Sequence, residues 1–239
     1  MENYLENNQT TVSKEIAIDF IRNVYKYMFA ALSISGILAY LVGTNEAYFT
    51  SLFINEAGTG VSMLFWIIAF SPIAIVFAMS LGFERLSTQA MLLLFIAYSL
   101  LMGLSLSSIF MVYSIGSIYA TFFVSAGVFA LMAVLGYTTK TDLTKFGSLL
   151  YMALIGVVLA SVVNMFVQSS GMDKMITYIC VFVFTGLVAY KMQELKNLAH
   201  NVEMDSDQKT KLEIFGGLSL YITFVNLFLT LLRLFGNRD

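Results

Sequence analysis

The sequence predicts an all-α membrane protein: a bundle of seven transmembrane helices with the last helix central. Three observations carry this. Of the 239 residues, 59% are hydrophobic and only 12% charged, where a soluble domain holds about 25% charged residues. Mean hydropathy is +0.81. The charges cluster, leaving apolar stretches of about 20 residues between them, the length of helix that crosses a bilayer. A β-barrel would instead alternate apolar and polar residues in segments of about 10, and these runs do not.

In chain order, residues 1–26 read as a polar N-terminal tail and 27–239 as the transmembrane domain. The opening MENYLENNQTTVSKE is polar and acidic, unlike a cleavable signal peptide, so the first span is expected to direct insertion. The apolar runs fall at 27–42, 61–81, 90–113, 118–136, 148–167, 175–192 and 214–235. Short connections make consecutive spans antiparallel neighbours. The segment 45–60 is longer. It carries Glu46, Glu56 and the apolar YFTSLFI, which leaves a re-entrant eighth segment open. Pro72, the only proline, lies inside span two, where it removes a backbone hydrogen bond and favours a kink. Span three ends in GLSLSSIF. Its Ser105, Ser107 and Ser108 suit either tight helix crossing or a polar lining.

The last run, IFGGLSLYITFVNLFLTLLRLF, is interrupted by Gly216, Gly217, Ser219, Tyr221, Thr223, Asn226 and Thr230. Among other helices such residues allow close approach and interhelical hydrogen bonds. The alternative is that the polar atoms bond their own helix backbone.

Lys and Arg set the expected orientation. Lys14, Arg22, Lys26, Arg85, Lys140, Lys145, Lys196, Lys209 and Lys211 fall on one side if the spans alternate. Lys174, Arg233 and Arg238 fall on the other, and Lys191 sits at a boundary. This bias predicts a cytoplasmic N-terminus and an outward C-terminus.

A net charge of −2 without a basic cluster gives no footing for nucleic acid. The single Cys180 excludes an internal disulfide. No HExxH, GxSxG, P-loop or Cys/His cluster is present, so the chain reads as a non-enzyme with no cofactor and no metal centre. His200 lies in a charged segment whose EMDSD cluster lacks the glycine and spacing of a calcium loop. All fifteen acidic residues are assigned outside the spans, Glu213 among them.

Four stretches in order, FIRNVYKYMFAALSISG, GLSLSSIF, TKTDLTKFG and LSLYITFVNLFLTLLRLFG, resemble the Bax inhibitor family, specifically its bacterial YccA-like branch. The resemblance covers nearly the whole chain. It implies a seven-helix fold around a central last helix, in the bacterial inner membrane. For some members it also implies a pH-sensitive calcium leak. There, two aspartates on helices six and seven share a proton, because neighbouring carboxylates do not both ionise cheaply.

This chain departs from that pattern at the two decisive positions. Lys191 stands at the helix-six position and Thr223 at the helix-seven position. The arginine that some members carry in helix two aligns with Ser80. Tyr221 and Asn226 match the helix-seven motif. Lys191 either snorkels to the interface or presents a fixed cation toward Thr223, and Glu194 offers it a local partner. The resulting expectation is a calcium-leak-type channel with altered or lost pH gating. The alternative is a non-transporting regulator that binds other membrane proteins, such as a membrane quality-control protease.

Overall fold

The structure, a computed structural model, describes residues 2–55, 60–201 and 205–237. Glu56, Glu203, Arg238 and Asp239 lie outside the described residues, as do the side chains of Lys14 and His200. Among the described residues the chain forms eight α-helices: α1 (Glu2–Gly43), α2 (Glu46–Phe53), α3 (Met63–Leu81), α4 (Thr88–Leu106), α5 (Ile115–Thr138), α6 (Thr144–Val167), α7 (Ser170–Asn201) and α8 (Ser206–Phe235). All but α2 contain a segment long and apolar enough to cross a membrane, and each coincides with an apolar run of the sequence. Lipid is the natural solvent of the outward faces, where Met63, Leu81, Phe123 and Phe166 are more than 70% exposed. The chain is therefore a multi-pass integral membrane protein.

Three boundaries differ from the sequence reading. α1 runs unbroken through the segment expected to be a tail. The reason is a stripe at helical spacing, Ala17, Phe20, Val24, Met28, Ala31 and Ser35, all buried. α7 continues past Lys191 to Asn201, so Lys191 does not end its helix. The apolar YFTSLFI folds as α2, capped by the Asn45 side chain, which accepts from the N–H groups of Ala47 and Tyr48. Eight residues are far too few to span.

Pro72 sits inside α3 without ending it. The Ile68 carbonyl, which residue 72 cannot serve for lack of an N–H, accepts from the Ser71 hydroxyl at 3.3 Å. In a membrane such a substitute partner is what makes a mid-helix proline tolerable.

The contacts divide the chain into two compact units. One comprises Met1–Ile21, Gly116–Val202 and Ile222–Asn237; the other comprises Arg22–Ile115, Glu203–Tyr221 and Arg238–Asp239. In the first unit, Phe122 and Phe129 of α5 meet Phe224 of α8 edge to face, with centroids 5.5 and 5.6 Å apart. α5 also meets α7 at Gly136, where an added Cβ would sit 2.1 Å from the Ala189 carbonyl oxygen. Leu150 of α6 packs with Val183 and Leu187 of α7. In the second unit, Val42, Phe53 and Ile68 join α1, α2 and α3 in one cluster. Tyr27 of α1 meets Phe95 of α4, and Phe83 meets Phe215 of α8.

α8 is the most buried span: 72% of its apolar window is inside the protein, against 17–50% for the others. That burial is the basis for calling the last helix central. Two of its polar side chains, however, are satisfied locally. Asn226 donates to the Ile222 carbonyl at 2.8 Å, and Thr230 donates to the Asn226 carbonyl at 2.6 Å. The serines of span three do the same: Ser107 donates to the Leu104 carbonyl and Ser108 to that of Ser105. In both stretches it is the small residues that bring helices together. A Cβ on Gly103 of α4 would meet the Ser35 backbone of α1 at 2.9 Å.

Candidate functional site

The five positions singled out from sequence do not share one unit. Lys191, Thr223 and Asn226 belong to the first, Ser80 and Tyr221 to the second. Ser80 is exposed near the end of α3, next to Met79, which is fully buried.

Lys191 is held on α7 by neighbours from its own unit. Its ammonium donates to the Glu194 carboxylate at 2.8 Å. It also lies over the Tyr151 and Tyr190 rings, 5.4 and 5.8 Å from their centroids. Only 20% of its side chain is exposed. An ammonium this dry needs both the carboxylate and the aromatic faces to replace its lost hydration. The local partner anticipated from sequence, Glu194, is the one it uses. Thr223, on α8, is 7% exposed.

Tyr221 is completely buried. Its ring meets Tyr98 of α4 edge to face, centroids 5.9 Å apart. Its hydroxyl is directed toward the Ser35 side chain but has no hydrogen-bond partner of normal geometry among the described residues. Ser35 itself donates to the Leu32 carbonyl at 3.3 Å.

Glu213 corrects the reading that put every carboxylate in a loop or at a helix end. It lies two turns inside α8 and is 5% exposed. The Asn23 amide donates to its Oε1 at 3.0 Å, and the Lys26 ammonium donates to Oδ1 of the same Asn23 at 3.0 Å. Asn23 thus links a buried carboxylate to a cation one helical turn away. Asn23 and Lys26 both come from FIRNVYKYMF, within one of the four stretches that carry the resemblance, and no feature of that stretch points to Glu213, 190 residues away.

A second stretch, TKTDLTKFG, is fastened to α7. Gln193 is 7% exposed; its amide donates to the Thr141 carbonyl at 2.8 Å and its Oε1 accepts from the Leu143 N–H at 2.7 Å. Lys196 adds a bond to the Tyr137 carbonyl at 2.7 Å. Within the loop, hydrogen bonds from the Thr144 hydroxyl and N–H hold the Asp142 carboxyl below the usual carboxylate range. Its contribution is present at neutral pH and lost only as pH falls through that lowered value, so Asp142 is no sensor near neutrality. On the same unit, Asp173 of α7 pairs with Arg233 of α8.

Among the described residues no group of three or more His, Cys, Asp or Glu side chains is arranged to hold a metal ion.

The sequence pattern of the family described as inhibitor of apoptosis-promoting Bax1 matches residues 18–239. The chain is 44% identical to the inner membrane protein YbhL of Escherichia coli K12 over 220 residues, 92% of each chain. It is 40% identical to a protein of Borreliella burgdorferi, covering 96% of this chain and 97% of that one. A protein of Rickettsia prowazekii is 36% identical over 96% of both. Matches of this extent span every helix from α1 to α8, and they make the chain a member of the Bax inhibitor family.

Proposed function

We propose that this protein is a channel-like membrane protein of the Bax inhibitor type that passes calcium without the family's dicarboxylate proton switch. The observation that carries the proposal is the pair of positions Lys191 and Thr223. Where the resemblance expects two aspartates, one holds an ammonium bound to Glu194 and the other a buried threonine hydroxyl. Neither offers a carboxylate to share a proton. The name of the YbhL relative supports placement in a bacterial inner membrane, and the lysine and arginine bias supports a cytoplasmic N-terminus.

Calcium efflux from liposomes containing only this purified protein tests the transport reading. A channel releases calcium by itself, above the leak of protein-free liposomes. A regulator that acts by binding another membrane protein, such as a quality-control protease, releases none until its partner is added.

A further inference from the structure

At one end of the first unit, a cavity of about 360 Å³ opens among α6, α7 and α8, lined by Ser161, Asn164, Met165, Asp173, Ile176 and Arg233. Asn164 and Met165 lie in the last turn of α6, Asp173 in the first turn of α7 and Arg233 in the last turn of α8. Three helix ends that meet this way put the cavity at the level of a membrane interface, where lipid headgroups lie. We propose that this cavity binds the headgroup of a phospholipid carrying a primary amine, of the phosphatidylethanolamine class.

Three features select that chemistry. First, the cavity wall carries both charges: the Arg233 guanidinium and the Asp173 carboxylate, paired with each other and 46% and 36% exposed. A zwitterionic headgroup can enter by exchanging partners. Its phosphate takes the guanidinium and its ammonium takes the carboxylate, so no charge is left unpaired. Second, the neutral lining extends the same polarity. Asn164 uses its carbonyl oxygen to cap the Ser169 N–H, which leaves its amide hydrogens as the donors for phosphate. Ser161 spends its proton on the Val157 carbonyl, which leaves oxygen lone pairs for an ammonium. Third, the rim is apolar and outward-facing. Met165, in the lining, is 73% exposed and offers a surface for acyl chains, while the other apolar residue of the lining, Ile176, is buried. The volume falls in the range of about 300–1,000 Å³ typical of small-molecule sites.

The primary amine matters. Phosphatidylglycerol has no cation to give Asp173 once Arg233 turns to phosphate. Phosphatidylcholine has a cation with no N–H to donate to Asp173 or Ser161.

The test is native mass spectrometry of the purified protein, with phosphatidylethanolamine, phosphatidylglycerol and phosphatidylcholine of identical acyl chains present in equal amounts. The wild type is expected to retain phosphatidylethanolamine at least about threefold over either competitor. Asp173→Asn should erase the preference over phosphatidylglycerol while lipid is still retained. Asp173→Asn with Arg233→Gln removes both charges together and leaves neither stranded; it should retain all three lipids alike. Equal retention by the wild type overturns the proposal, as does a preference that survives in the doubly neutral variant. Retention of free phosphoethanolamine by the wild type, with no phosphatidylethanolamine retained, would assign the cavity to a soluble ligand and overturn the lipid assignment.

Discussion

Gly217 of α8 and Tyr27 of α1 touch so closely that a Cβ on the glycine would lie 2.5 Å from the tyrosine Cβ and 3.0 Å from the Val24 carbonyl oxygen. Helices in lipid gain little from burying apolar surface against each other, so contacts of this closeness supply the packing and dispersion that hold them. The near obstacles on α1 are a Cβ and a backbone oxygen, neither of which a rotamer change can remove.

Gly217→Leu is therefore expected to destabilise the protein, and Gly217→Ala to do so less, by about 1–3 kcal/mol for an overpacked contact. Gly156→Ala is the control, since a Cβ there meets nothing within 4 Å. Thermal unfolding in detergent reads the difference. Equal melting temperatures for Gly217→Ala and Gly156→Ala would show that α1 and α8 do not meet at this point.

Glu213 tests the buried polar link in the same unit. Glu213→Ala strands the Asn23 amide, at a cost of about 1–3 kcal/mol. Glu213→Gln keeps an oxygen that can accept from Asn23 and should lose less. The two variants compared by denaturation in detergent should fall in that order. If they melt alike, the Asn23–Glu213 bond contributes nothing.

Gln193→Leu is expected to release the 139–143 loop from α7 while leaving the helices folded. It removes an acceptor for the Leu143 N–H and a donor to the Thr141 carbonyl. Faster amide hydrogen exchange confined to that loop is the expected readout. Unchanged exchange at Leu143 would show that the clamp is not used.

Orientation has its own test. Seven spans put the termini on opposite sides, and the basic residues predict the N-terminus in the cytoplasm. Reporter fusions at each end should give opposite signals, with the N-terminal one cytoplasmic. The same signal from both ends contradicts seven crossings.

The spans were readable from sequence because charges cluster at their ends and membrane-crossing length is fixed by the bilayer. The close contact at Gly217 was readable because the glycine stands among other small and polar residues of the last run; glycine alone does not decide it, since a Cβ on Gly156 meets nothing within 4 Å. What sequence could not supply were pairings across the chain. Asp173 and Arg233 are 60 residues apart, and Gln193 reaches 50 residues back to Leu143. Glu213 was misassigned because Asp207, Lys209 and Lys211 precede it and make its neighbourhood look soluble, although α8 is already helical there. Burial against α1 cannot be seen in that composition. The polar residues of α8 misled in the other direction. Asn226 and Thr230 suggested bonds between helices, yet they serve their own backbone, as the alternative reading had it.

The central claim is that this member of the family has lost its neutral-pH switch, and calcium efflux from proteoliposomes at pH 6, 7 and 8 tests it most directly. Threonine does not titrate and lysine ordinarily does so near 10.4, so the wild-type rate should vary by less than about twofold over this range. Lys191→Asp combined with Thr223→Asp restores the two carboxylates and should make the rate pH-dependent. A steep, acid-sensitive efflux from the unmodified protein would contradict the account; Glu213, buried beside Asn23, would then be the carboxylate to neutralise first.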